Sequence, residues 1–367
     1  MRSTIAVVNE AKLRRNINKV KTLAPNSDIM AIVKANAYGH GAVEMSRVLR
    51  LEDVKFLAVA FPEEGIELRN AGDTGNIIVL VPAHPEEADI FCKYNLQPIT
   101  SSIDFMIALS EAAVKNNVTL LAHLFIGTGM NREGIEPKKT LQFMRACEIL
   151  PNIEISGICT HFATSSSDPD FMQKQLDLFN STRTKLELEG FSFKYIHTSN
   201  SGAIVNFPPA QFNLVRPGIA LYGYPPSFRE AEKLGVEPIL TLKSKVILCR
   251  RVKAGESVGY DRLFITDKPT NIATVPIGYG DGYLKTLTGK TQVLIKGNRY
   301  DVVGSICMDE LMVNVGDDDI AVGEEVILIG EQSGEKILAD ELAKRAGSIV
   351  WDVLTAISAR VPRVFVE

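Results

Sequence analysis

The chain has 367 residues, 46% hydrophobic and 23% charged, which is enough to bury a large core and, by size, two domains. Its formal charge is −4, with Lys and Arg scattered among acids, so it has no electrostatic footprint for nucleic acid or anionic lipid. No run reaches the apolar length of a membrane span and the start, MRSTIAVVNEAK, has no secretory pattern, so a cytoplasmic location and a small-molecule partner are expected.

From about residue 10 to 220, short β-branched runs alternate with stretches whose apolar residues recur every three or four positions. The runs are IMAIVK (29–34), FLAVA (56–60), NIIVLV (76–81), LQPIT (96–100), TLLAHLFI (119–126), IEISGICTH (153–161), FKYIHTS (193–199) and FNLVR (212–216). PEEGIELRNAG, SSIDFMIALSEAAVKNN and DFMQKQLDLFNSTRTKLELEG lie between them and open with Pro, Ser or Asp, as helices do. Strands that are apolar on both faces and separated by helices imply a covered parallel sheet, and this number of them closes a (β/α)8, or TIM, barrel. The alternative, an open doubly wound sheet, expects a glycine fingerprint that GTGMNREG fails, because Arg132 takes the third glycine's place.

After about residue 236 the rhythm changes to strands with Gly and Asn turns, as in QVLIKGNRYDVVGSICM, where Gly297-Asn298 reads as a hairpin turn. One amphipathic helix, ILADELAKRAG, interrupts this half, and AISARVPRVFVE reads as a closing strand. The division expected is a barrel over residues 1–235 and a mainly β C-terminal domain over 236–367, with the first few residues as candidates to pair with the second domain. The boundary falls in YGYPPSFREAEKLGVEP. The five cysteines show no CxxC spacing and the five histidines no HExxH, so neither a disulfide framework nor a metal site is expected.

In a barrel, chemistry collects at the carboxyl ends of the strands. Here the first run closes with Lys34, the fifth leads to Arg132 and the sixth ends at His161. The seventh runs into His197, Asn200 and Ser201, and the eighth ends at Arg216-Pro217-Gly218. Lys34 follows five apolar residues, where desolvation lowers an amine's pKa from about 10.4 and favours the neutral, nucleophilic form. VKANAYGHG (33–41) joins that lysine to Tyr38 and two glycines, which suits a phosphate-binding turn beside a covalently held cofactor.

With GTGMNREG, GICTHFAT, HTSNSGA, VRPGIALYG, VGYDRLF, VPIGYGDGY and VGSICMDELMV in order across both halves, the sequence resembles the alanine racemases, a fold-type III pyridoxal-phosphate family. The resemblance implies interconversion of L-alanine and D-alanine, a peptidoglycan precursor. Lys34 then holds pyridoxal 5′-phosphate and acts as base on one face of the alpha carbon. Tyr260, supplied by the partner subunit of a homodimer, acts on the other face. Arg216 matches the arginine at the pyridine nitrogen, where a guanidinium keeps its proton and makes the cofactor a weaker electron sink. His161 resembles the link from that arginine to the tyrosine, and His197 a residue near the cofactor ring. Tyr38, Ser201, Gly218 and Ile219 match phosphate-cradling positions, and Asn200 falls in the same cofactor-binding group. Arg132 and the backbone of Met308 resemble the holders of the substrate carboxylate, Tyr279 a residue at the site entrance, and Asp309 a support for the neighbour's site.

Three positions depart from the family. Many relatives have a lysine, often carbamylated, where this chain has Phe125, and an aspartate where it has Gly127; the expectation is that a small anion holds Arg132 instead. Ala359 stands where some relatives place a tyrosine, so serine turnover, or a broader-specificity racemase, is the nearest alternative. Further alternatives are a basic amino acid decarboxylase, which needs an acidic residue at the ring nitrogen, and a single-barrel cofactor carrier, which lacks the second domain.

Overall fold

The computed structural model describes residues 2–227 and 231–367, with only the backbone of 231 and 232. Within YGYPPSFREAEKLGVEP, residues 228–230 lie outside the described residues. The chain forms two compact units. One comprises Leu13–Ala37 and Ala42–Glu237, the other Met1–Lys12, Tyr38–Gly41 and Pro238–Glu367.

The first strand, β1 (Ile5–Asn9), belongs to the second of these units; the next eight strands build the first. They are β2 (Asp28–Ile32), β3 (Phe56–Val59), β4 (Asn76–Val79), β5 (Gln97–Thr100), β6 (Leu120–Phe125), β7 (Ile153–Cys159), β8 (Tyr195–His197) and β9 (Leu214–Val215). All pair in parallel in the order β8-β7-β6-β5-β4-β3-β2-β9. Every apolar run read from the sequence is one of these strands. The ring closes just beyond β8 and β9, where Arg216 N–H donates to Ser199 O at 2.8 Å and Asn200 bridges Arg216. The seam of the barrel therefore carries site residues.

The intervening helices start where their caps say they should. Ser102 Oγ accepts from Phe105 N–H at the head of the helix Ile103–Lys115, and Asp168 does the same for Phe171 ahead of Pro169. Phe105, Met106, Leu109, Ala112 and Ala113 place the buried face of Ile103–Lys115 on one side. Fully burying side chains of this kind stabilises by roughly 1.5–3 kcal/mol each for the larger ones.

The second unit continues with β10 (Leu240–Lys245), β11 (Leu248–Val252), β12 (Ser257–Val258), β13 (Phe264–Ile265), β14 (Thr270–Val275), β15 (Gln292–Ile295), β16 (Asn298–Val303), β17 (Leu311–Gly316), β18 (Glu325–Gln332), β19 (Glu335–Ile337) and β20 (Arg363–Val366). Its main sheet runs β11-β14-β17-β16-β15-β18-β10-β1-β20, antiparallel except for β1 with β20. Burial alternates along β10 and β17, as in a sheet with one covered face. The hairpin turn sits one residue earlier than the sequence suggested. Ile295 faces Asn298, and the two turn residues are Lys296 and Gly297, both left-handed at φ 50° and 78°, the geometry of a type I′ turn. Asn298 begins the next strand.

Candidate active site

Lys34 follows β2 at the carboxyl end of the barrel, half-buried. Burial is the main cause lowering its pKa; the Arg132 cation adds to this, and Glu64 and Glu133 oppose it. The amine is thus biased toward its neutral form. The backbone after it is unusual: Ala35, Asn36, Ala37 and Tyr38 all have φ between 51° and 53°, a left-handed turn made without glycine. Such a conformation costs roughly 1–2 kcal/mol per residue, so specific contacts must hold it. Ala35 N–H donates to Glu64 Oε1 at 2.5 Å, Ala37 N–H to Val33 O at 2.8 Å, and Ala42 N–H to Asn36 Oδ1 at 2.8 Å. Glu64 in turn sits at the head of the helix Pro62–Asn70, accepting from Ala60 N–H at 2.6 Å.

Arg216 follows β9 and is 5% exposed. Its Nη1 donates to His197 Nδ1 at 2.9 Å and His197 O at 2.5 Å, and its Nη2 to Thr160 O at 2.8 Å, His161 Nδ1 at 3.2 Å and Thr198 O at 3.2 Å. None of these bonds uses Nε. A guanidinium only donates, so both histidines accept at Nδ1 and carry their proton on Nε2. His197 Nε2–H then donates to His123 Nδ1 at 2.7 Å, which puts the proton of His123 on Nε2 as well, where it meets no acceptor among the described residues. Burial holds all three imidazoles neutral. His123 and His161 are pushed down to about 3, with the Arg216 charge a further cause. His197 lies well below the ordinary value, through burial and then through His123 and Arg216.

His123 has room because β7 carries Gly157 beside it, where a Cβ would lie 2.3 Å from the His123 ring, and the β6–β7 register shifts at that point. His123 is not among the site residues named from the sequence. Its signal was a polar residue inside the apolar run TLLAHLFI.

Arg132 lies in the loop after β6. Its Nε and Nη2 both donate to Glu133 Oε1, at 3.0 and 2.6 Å. Within the chain, the carboxylate of Glu133 is thus the partner of Arg132. Phe125 is buried, and the next turn passes close to it: at Gly134, with φ +102°, a Cβ would lie 2.4 Å from Phe125 Cδ1. Ile135 N–H donates to Phe125 O and Gly127 N–H to Ile135 O, both at 2.9 Å, which brings the loop back alongside its strand.

After β8, Asn200 Oδ1 accepts from Ala203 N–H at 3.1 Å and so starts the helix Ser201–Asn206. Ser201 Oγ accepts from Gly218 N–H at 2.9 Å and Ala220 N–H at 3.4 Å. Ile219 is buried in the short turn that follows. A Cβ on Gly202 would lie 2.6 Å from Ser166 Oγ and 2.7 Å from Ser165 Oγ, so hydroxyls gather where a side chain is missing.

In the second unit, Tyr38 is buried and its phenol is pushed well above the usual range by burial. Tyr260 is 69% exposed, on the loop joining β12 to β13, with Leu263 and Ile265 exposed beside it. The loop is anchored by Val258 and Phe264, which pack with Val252, Ile272 and Val303. Tyr279 and Met308 are also exposed, and Met308 O accepts from Gly280 N–H at 2.9 Å. Asp309 pairs with Arg360 Nη2 at 2.6 Å, and Arg360 also reaches the buried Asp281 at 3.3 Å. Ala359 is exposed.

The family description "Alanine racemase, N-terminal domain" matches residues 8–226, and "Alanine racemase, C-terminal domain" matches residues 239–365. The chain belongs to the alanine racemase family. An alanine racemase of Clostridium novyi (strain NT) is 41% identical to it, covering 100% of this chain and 96% of the relative. Among solved structures, an alanine racemase of Clostridium difficile 630 superposes with a TM-score of 0.95 at 38% identity, covering 99% of this chain and 96% of that one. A structure described as alanine racemase from Bacillus anthracis with bound L-Ala-P gives 0.95 at 34%, covering 100% and 96%.

As a member of the alanine racemase family the chain is an isomerase, and its cofactor is pyridoxal phosphate. The residues present fit that group. A desolvated lysine suits its aldehyde, and a buried guanidinium whose Nε makes no bond among the described residues suits its ring nitrogen. The backbone N–H groups and hydroxyls around Ser201, Gly202 and Gly218 suit its phosphate. Among the described residues no helix is long and apolar enough to cross a membrane.

Proposed function

We propose that the chain interconverts L-alanine and D-alanine in the cytoplasm as a homodimer with shared sites. In this reading the barrel, residues 1–235, holds the cofactor, and the β-rich part, residues 236–367, lends its second base to the neighbour. When bound, pyridoxal phosphate supplies the electron sink that acidifies the alpha hydrogen of the substrate. Lys34 would hold it, with Tyr38, Asn200, Ser201, Gly218 and Ile219 around the phosphate and His161, His197 and Arg216 at the ring.

The observation that carries the reading is Arg216, buried between neutral histidines. Its partners only accept, so the guanidinium keeps its protons, and its Nε–H can donate a hydrogen bond to a ring nitrogen without protonating it. Lys34, biased toward neutrality by burial, takes or returns a proton at Nζ on one face. The phenol of Tyr260 is exposed, and with Leu263, Ile265 and Met308 also exposed it suits an interface where it serves the partner's site. Arg132 and the Met308 backbone take the substrate carboxylate; Tyr279 lines the entrance and Asp309 supports the loop.

The test is proton exchange in heavy water with each enantiomer of alanine and of serine, using the wild type and Tyr260→Phe. The variant should lose exchange from one enantiomer far more than from the other. Equal loss in both directions, or pyridoxyl label on a residue other than Lys34 after borohydride reduction, refutes the scheme. Serine turning over as fast as alanine would move the assignment to a broader racemase.

A further inference from the structure

Arg132 is half exposed, 53% by its side chain, on a loop that must hold a long flexible residue in one orientation; the carboxylate it meets, on Glu133, is 11% exposed. The geometry between them is one-sided. Nε and Nη2 converge on a single oxygen, Glu133 Oε1, so the Nε edge of the guanidinium is committed and Nη1 keeps both its N–H groups for a ligand. Neighbouring residues in a chain do not ordinarily face one another. Here they do because Gly134, left-handed and pressed against Phe125, turns the backbone immediately afterwards, and Ile135 is bonded back to Phe125. The Glu133 charge also reaches further than this pair: it acts on Lys34, on Arg216 and on the Cys159 thiol.

We propose that Glu133 is a positioning residue for substrate: it clamps the Nε edge of Arg132 so that the Nη1 side is presented to the carboxylate of the amino acid. The clamp is built from the chain itself, one residue after the arginine it holds. An arginine left to wander must be ordered by each arriving substrate, and the immobilisation of one such side chain weakens binding by about three- to ten-fold. The clamp itself acts on binding, since Glu133 bonds only the residue that holds the non-reacting end of the substrate, and an unreactive carboxylate reads it apart from the Glu133 charge felt at Lys34. This inference rests on the reading of Arg132 as the carboxylate anchor.

The experiment uses the cofactor-loaded enzyme and two readouts. One is KM and kcat for alanine; the other is the Kd of propionate by calorimetry, a carboxylate of the same length that has no amine to react. Glu133→Ala should raise KM and the propionate Kd together by about three- to ten-fold. Glu133→Gln keeps an acceptor oxygen and should restore most of the affinity. The thermal melt of each variant shows whether it is folded, and Glu133→Asp, which keeps the charge, replaces any that is not. Unchanged KM and Kd in Glu133→Ala, or a fall in both, overturns the proposal; so does a loss confined to kcat. Arg132→Ala separates the two claims. If it leaves propionate binding intact, the anchor reading fails; if it abolishes binding while Glu133→Ala does nothing, only the clamp fails.

Discussion

Acid should destabilise this protein through three imidazoles, and the size of the effect follows from their burial. His123, His161 and His197 are neutral in the folded chain, the first two titrating only at about 3 and the third held well below its ordinary value. Once unfolded, each takes a proton near 6.5. Between those limits the unfolded chain binds more protons than the folded one, so stability is complete above about pH 7 and falls as the pH falls. At pH 5 the two imidazoles that titrate at about 3 cost about 2 kcal/mol each, and the third acts in the same direction, together a large part of a typical folding free energy. The contribution of one histidine can be isolated by urea unfolding of the cofactor-loaded protein at several pH values, followed by circular dichroism. His123→Asn lacks one titrating ring, so its stability should change less steeply with pH than that of the wild type, by about 1.4 kcal/mol per unit between pH 4 and 5.5. Parallel slopes for the two proteins would show that His123 is charged in the folded chain, and the tautomer chain from Arg216 would be wrong.

Three further outcomes are expected. Gly134→Ala forces a Cβ to within 2.4 Å of Phe125 at φ +102°; strain and overpacking of this kind cost about 1–3 kcal/mol, seen as a lower melting temperature and as a raised KM because Glu133 moves with the turn. Ser201→Ala leaves the buried N–H groups of Gly218 and Ala220 without the Oγ that accepts from them; each lost bond is worth about 0.5–1.5 kcal/mol, so the melting temperature of the cofactor-free protein should fall, and an unchanged melt would contradict these bonds. Replacing chloride by sulfate at equal ionic strength should leave racemisation unchanged, since Glu133 supplies the negative partner of Arg132; a halide requirement in steady-state assays would contradict that.

Much of the barrel was legible because strands buried on both faces must be apolar along their whole length, and each such run in the sequence is a strand in the structure. Position along those runs also carried chemical information. Lys34, His161, His197 and Arg216 stood out as polar residues closing apolar stretches, which in a parallel barrel places them on one rim. The hairpin of β15 and β16 shows the limit of local pattern: Gly297 was recognised as a turn residue, but only the cross-strand register shows that Lys296 shares the turn with it and Asn298 does not. Other features have no local signature at all. His123 lies mid-strand and acquires meaning from Gly157 on the next strand and His197 beyond it, partners 34 and 74 positions away. Glu133 reads as an ordinary loop acid until Gly134 is seen to fold it against Arg132. The grouping of Tyr38–Gly41 with the C-terminal unit cuts a four-residue piece out of the most recognisable motif in the chain. Hydrophobic periodicity and strand-end polarity depend on neighbours along the chain and can be read in one dimension. Tautomers, ion-pair partners and the company a segment keeps depend on neighbours in space, so only the folded chain decided them.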